Sequence, residues 1–312
     1  MFILYSLTYI SVLSFFIMIC FRFIRISTSP IHLRWELYPV PSEKNKSKHG
    51  GSKLEEIDWW KKKHKKSIFN EIKVMFLEIF LLKGVWEHNR ELWYGSFPFH
   101  FGLYLLILNM LILIKCSMFS LFGFSIMSES HIYHIYVYKI LIALMWTGSI
   151  TGMFGSIRLF LSRIVDSGLS LYNNLSHYFN IILIGAIYCS LYIWLLTDYK
   201  IIDNLIGFYI GFATFSAIPS FPLMGIIHIA IVLLFIFYLP LTHMTHFFTK
   251  YFTYHKVRWE DEGIEPGTKI AERLSRQLNQ TVTWAAPHIG SDGKKTWIAL
   301  AASQKSKGKD NE

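Results

Sequence analysis

His228 and His246 stand near opposite ends of one apolar run, FPLMGIIHIAIVLLFIFYLPLTHMTHFF, from Phe221 to Phe248. On a continuous helix their separation of 18 residues (246 − 228) places the imidazoles about 27 Å apart along the axis, at ~1.5 Å per residue. That approaches the ~30 Å hydrocarbon thickness of a bilayer. The same spacing makes about five turns, so both rings share one helix face. Ionisable side chains inside a bilayer are costly and are usually kept for function. Two imidazoles on one face, one toward each leaflet, are the pattern expected of axial ligands to b-type haem irons stacked across a membrane.

Axial ligation needs a second donor from a facing helix. His100, in SFPFHFGLYLLI, lies at the end of its apolar run that should be level with His246, so His100/His246 is the expected ligand pair there. His243, one turn before His246, would replace it or hydrogen-bond a haem propionate. His228 has no histidine opposite it in the second apolar run. Met110 lies about 15 Å beyond His100 along a helix, and histidine–methionine ligation raises a haem potential. Met110 reads equally well as a lipid-facing or packing residue, and His131 and His134 are other partners. One haem b is therefore expected, with the second left open. Arg90 would pair with propionates, and His88 and His177 fall near the same level; solvated loop residues are the plainer reading of all three. Lys139 either snorkels to the interface or hydrogen-bonds a quinone carbonyl or a propionate. Lys115 reads as a snorkelling residue.

Five apolar runs must position these residues: roughly Met1–Phe21, Phe97–Met118, Tyr133–Ile157, Tyr178–Thr197 and Phe221–Phe248. A composition of 53% hydrophobic residues would also suit a large soluble core, so the membrane class rests on these runs rather than on the total. The net charge of +10 is informative through its placement. Lysines crowd the first long connection, Arg158 and Arg163 follow the third run, and Lys250, Lys256 and Arg258 follow the fifth. The connections Phe119–Ile132 and Asp198–Ser220 carry only Lys200. The positive-inside rule then predicts an all-α, five-helix membrane bundle with its N-terminus outside and a cytoplasmic C-terminal tail. The same lysines explain topology and lipid contact, so nucleic-acid binding is not needed to account for them.

The expected organisation is a first membrane helix over 1–25 and a basic cytoplasmic loop with an interfacial helix over 26–96. A four-helix haem-binding core follows over 97–248, then a cytoplasmic docking tail over 249–312. Arg22 and Arg25 follow the first run and no basic residue precedes it, unlike a cleaved signal peptide. PSEKNKSKHGGSK reads as a flexible loop, and Ile68–Trp86 as one amphipathic helix at the interface. Gly148, Gly152 and Gly155 would admit a neighbouring helix or a flat cofactor close to the backbone. Cys20, Cys116 and Cys189 are isolated and make no metal-spaced cluster, so no iron–sulfur centre or zinc is expected in this chain. The tail mixes aromatics with charge and is too short and irregular to promise a domain; it reads as a docking arm, or as a disordered end.

The fifth run has the form H-x₁₁-P-x₅-H, carried by His228, Pro240 and His246. With HNRELWYGSFPFHFGLYLL, SHYFNIILI and LPLTHMTHFFTKYFTYHKVRWEDE, it makes the chain from about His88 to Glu262 resemble the gamma (cytochrome b) subunit of respiratory nitrate reductase. The likeness is stronger to the branch in sulfate reducers and methanogens, with the membrane cytochromes of sulfite-reduction-associated complexes, of heterodisulfide reductase and of transmembrane complexes serving tetrahaem cytochrome c. The resemblance implies two b haems, His100 and His246 as ligands of the cytoplasmic-side haem, and His228 as a ligand of the outer one. It implies electron transfer between a quinone pool (menaquinone among the candidates) or a periplasmic multihaem cytochrome c and a cytoplasmic iron–sulfur subunit of heterodisulfide-reductase type. It also implies a prokaryotic cytoplasmic (inner) membrane. The family pattern has a second histidine ten residues after the first, where this chain has Met110. Lys139 falls near a quinol-site lysine of the family. The alternatives are a single-haem anchor and relay without transmembrane transfer, and a haem-free small transporter; the lack of an evident inverted repeat weighs against the latter.

Overall fold

The structure is a computed structural model and describes residues 2–28, 57–58, 67–124, 133–166, 168, 173–216, 220–258, 266–286 and 290–307. Its elements begin with α1 (Phe2–Thr28), α2 (Ile68–Phe80), α3 (Lys83–His88), α4 (Arg90–Leu121) and α5 (His134–Val165). There follow α6 (Leu175–Thr197), α7 (Ile201–Thr214), α8 (Leu223–Tyr238), α9 (His246–Phe252) and α10 (Lys269–Leu278). A short hairpin of β1 (Ala285–Ala286) and β2 (Ser291–Asp292) precedes α11 (Trp297–Lys307). Among the described residues five helices are long and apolar enough to cross a membrane: Ile3–Thr28, Arg90–Leu121, His134–Val165, Leu175–Thr197 and Leu223–Leu241. The protein is an all-helical, multi-pass membrane protein. By contact the chain divides into two compact units, Met1–Cys20 with Ile72–Thr245 and Phe21–Glu71 with His246–Glu312.

In the first unit α4 and α5 cross backbone to backbone. A Cβ on Gly102 would lie 2.7 Å from the Gly148 carbonyl and from Gly152. One on Gly155 would lie 2.3 Å from the Phe99 amide, and one on Gly152 the same distance from the Tyr188 ring. The small residues of α5 are thus filled by α4 and by Tyr188 of α6, as close helix packing in lipid favours. Asn109, buried in α4, donates its amide to the Leu141 carbonyl of α5 at 2.8 Å, a polar tie across the same interface.

Three elements differ from the sequence expectation. The connection after the fourth span is helix α7, whose Ile201, Ile202, Ile206 and Phe208 are buried in the cluster around Trp194 and Leu113. Asp198 builds its corner: one carboxylate oxygen accepts from Trp194 Nε1 and Asn204 Nδ2, each at 2.9 Å, and the other from the Lys200 amide at 2.9 Å. The expected interfacial helix Ile68–Trp86 is broken in two at Leu82, which adopts a left-handed φ of 51°. The fifth span does not run to Phe248 as one helix. α8 stops at Tyr238, and two 3-10 turns follow, Leu239–Leu241 and His243–Thr245. Pro240 lacks the N–H that the Ile236 carbonyl would need in a continuous helix. Thr242 then takes over locally, with its hydroxyl donating to Leu239 O at 3.0 Å and accepting the Met244 amide at 3.1 Å. The single continuous helix on which the common face and axial spacing of His228 and His246 depend is therefore not formed.

In the second unit the described residues of the tail form α9, α10, the hairpin and α11. Thr268 caps α10 by accepting the Ala271 amide, and Val282, before the hairpin, and Leu300, in α11, are buried. Phe23 packs edge-on against Phe252 with ring centroids 5.2 Å apart.

Candidate functional site

His228 sits two turns into α8 and faces α6. Its Nδ1 lies 2.9 Å from Ser190 Oγ, and Ser190 donates its hydroxyl to the Ile187 carbonyl at 3.1 Å. With the serine proton on that carbonyl, the serine oxygen can accept from His228 Nδ1–H, the tautomer that leaves the ring lone pair on Nε2. Trp194 closes one side of the imidazole at 5.7 Å. Gly225 makes room for it, since a Cβ there would lie 2.8 Å from the indole.

His100 is held on its own helix. Its Nδ1 is 2.7 Å from the Ser96 carbonyl, an acceptor only, so this nitrogen carries the proton and Nε2 the lone pair. Phe99 beside it is fixed by Tyr188, whose hydroxyl donates to the Phe99 carbonyl at 2.7 Å. One helix, α6, thus supports both histidine levels, through Tyr188 and through Ser190.

The remaining expected residues fall in several places. His246, at the start of α9, belongs to the second unit and is exposed, whereas His100 and His228 belong to the first. His243 lies in the second 3-10 turn with its ring edge-on to His177, 5.0 Å between centroids. Rings in such direct contact leave no space for a porphyrin plane between them. Met110 is on an exposed side of α4, next to the inward-facing Asn109. Arg90 stacks its guanidinium over Trp86 at 4.8 Å, and His88 donates from Nδ1 to the Gly84 carbonyl at 2.8 Å. Lys139 is exposed on α5. His134 lies 6.0 Å from the Tyr138 ring, and His131 is outside the described residues.

Haem b is the cofactor implied by the resemblance, and one feature of the donors fits it. Ligating histidines commonly give their second ring N–H to an oxygen acceptor, which fixes the tautomer and orientation; His228 and His100 both do this. Among the described residues no group of three or more His, Cys, Asp or Glu side chains that could hold a metal ion is present.

Sequence reasoning missed three residues. Ser190 required the register of α6 against α8. His177 was read as a solvated residue, but it caps α6 reciprocally with Asn174 and meets His243. His255, which stands in a polar segment and carries no signal in the sequence, donates from Nδ1 to the Tyr251 carbonyl at 2.9 Å and lies 3.7 Å from the Glu71 carboxylate. No family model, curated protein or solved structure matches this chain.

Proposed function

We propose that the chain is the membrane-integral cytochrome b subunit of a prokaryotic redox complex. The observation that carries this reading is His228: an imidazole inside a membrane helix, with Nδ1–H tied to a serine whose own proton is already used. In that tautomer the ring presents Nε2 for coordination, at a cost in desolvation that a plain packing residue would not repay. His100 adds a second histidine anchored through Nδ1.

A bound b haem supplies a one-electron couple whose potential the protein sets through ligand, burial and hydrogen bonding. The chain's own work is to orient and insulate. Ser190 and Ser96 aim the two imidazoles, while Trp194 and Tyr188 exclude water beside them. His246, Met110 and His243 are the proposed further ligands, and Arg90 and Lys139 the proposed polar partners of propionates or a quinone oxygen. The cytoplasmic iron–sulfur subunit, the quinone pool or periplasmic cytochrome c, and the inner membrane enter through the resemblance alone. The positive-inside pattern supports the orientation.

The test is the reduced-minus-oxidised visible spectrum of the full chain purified after haem-replete expression. A b-type spectrum that His228→Ala diminishes is expected; a colourless wild-type protein contradicts the proposal.

A further inference from the structure

The hairpin and α11 leave their largest side chains outside. Val282 and Leu300 are buried, whereas Trp284, Trp297 and Ile298 are 45, 44 and 48% exposed. The two indoles meet edge to face with centroids 6.0 Å apart, so they form one surface. Backbone bonds fix them there: the Val282 amide donates to the Lys295 carbonyl at 2.9 Å and the Trp297 amide to the Gln280 carbonyl at 3.3 Å. α11 opens with WIALAA, of which only Leu300 is buried; Trp297, Ile298, Ala299, Ala301 and Ala302 are exposed. A contiguous exposed apolar surface of this kind marks a contact site.

Charge and attachment say what covers it. Residues 266–307 carry seven Lys or Arg against two Asp or Glu. Lys294 and Lys295 immediately precede the second indole and are exposed. The Asp292 carboxylate beside them accepts both of their amides, at 2.9 and 3.0 Å, and is thereby turned to the backbone. An anionic leaflet attracts such basic segments within a Debye length of its surface. Tryptophan is a side chain favoured at the headgroup level, where its ring is apolar and its N–H stays wet. The bilayer is also close at hand. The last span ends at Leu241 and Trp284 follows 43 residues later (284 − 241), so the chain's own membrane is present at high effective concentration. A soluble acidic protein would match the charge but not this proximity.

We propose that the Trp284/Trp297 patch seats in the headgroup region of an anionic bilayer. Lys294 and Lys295 lie against lipid phosphates, and the apolar first turns of α11 lie along the interface. The tail is then held at the leaflet surface instead of extending into solution. The inference needs the membrane spans and not the haem, so its failure leaves the cytochrome reading intact, and the reverse.

The test uses the full chain in lipid nanodiscs, with Cys20 and Cys189 changed to Ser and Cys116 to Ala. A nitroxide is attached at Ala302→Cys, one turn after Ile298, which leaves both indoles and both lysines in place. Its collisions with oxygen, which concentrates in lipid, and with a water-soluble nickel chelate report where the label sits. In phosphatidylglycerol discs the oxygen-to-nickel ratio should exceed that in phosphatidylcholine discs by at least about fivefold, and Lys294→Gln with Lys295→Gln should remove most of the rise. Unchanged amide exchange at Val282 checks that the double variant keeps its hairpin. The lipid comparison alters nothing in the patch, so it decides the matter even where that variant unfolds. A label equally open to the nickel chelate in both lipids, insertion indifferent to lipid charge, or shielding from both collision partners, the sign of a patch covered by protein, would each overturn the proposal.

Discussion

At the scale of single residues, the account turns on hydrogen bonds that hold rings still. Outer-shell partners of metal-bound histidines typically contribute 10–100-fold to metal affinity. Ser190→Ala is therefore expected to weaken haem retention by roughly that factor while leaving the helix intact, read by haem titration of the apo-protein. An unchanged affinity would assign Ser190 to packing alone. Asp292, in the hairpin, accepts the Lys294 and Lys295 amides at 2.9 and 3.0 Å, and those bonds hold its carboxyl below the ordinary range. A lowered folded pKa stabilises above the unfolded value and is lost as pH falls through the folded one. Asp292→Ala should accordingly speed amide exchange at Lys294 and Lys295 at neutral pH, and the difference from wild type should vanish in acid. The histidines themselves were legible, because an imidazole inside an apolar run is visible without a structure. Ser190 and Asn109 were not. A serine or asparagine in a membrane helix reads the same whether it faces a histidine, a backbone carbonyl or water.

At the scale of elements, glycine contacts and a proline break shape the bundle. Gly155→Val would drive a side chain into the Phe99 backbone, where a Cβ alone already lies at 2.3 Å. Overpacking of this kind costs about 1–3 kcal/mol or more, so a clear fall in Tm is expected, whereas a substitution at exposed Ile150 on the same helix should be near neutral. Asp198→Ala should cost about 1–3 kcal/mol by leaving the indole N–H of buried Trp194 without its acceptor; loss of protection at the start of α7 would be seen by hydrogen exchange. The five spans were readable from uninterrupted apolar length alone. α7 was missed because its 14 residues are too few to cross a bilayer and sit between turn-like segments. The fifth span was overextended because apolar character continues past Pro240 while the helix does not. Hydropathy reports burial in lipid, not the hydrogen-bond ladder.

At the scale of the whole molecule, contacts divide the chain into a compact unit of residues 1–20 and 72–245 and another of residues 21–71 and 246–312. Their division falls between Thr245 and His246, and it separates His246 from the other candidate ligands in sequence order. Positive-inside placement predicts that a cysteine at Ser303, in α11, is labelled only from the cytoplasmic face of sealed cells or vesicles, while one at Phe124 is labelled from outside. The reverse pattern would invert the assigned orientation and with it the direction of every proposed partner. The central claim is haem ligation by membrane histidines. Its most direct test is haem per polypeptide in the full chain, measured with a redox-titrated visible spectrum for wild type, His100→Ala and His228→Ala. The account predicts b haem in the wild type, with spectral loss in each variant. Haem that survives both substitutions unchanged, or none in any of the three proteins, would contradict it.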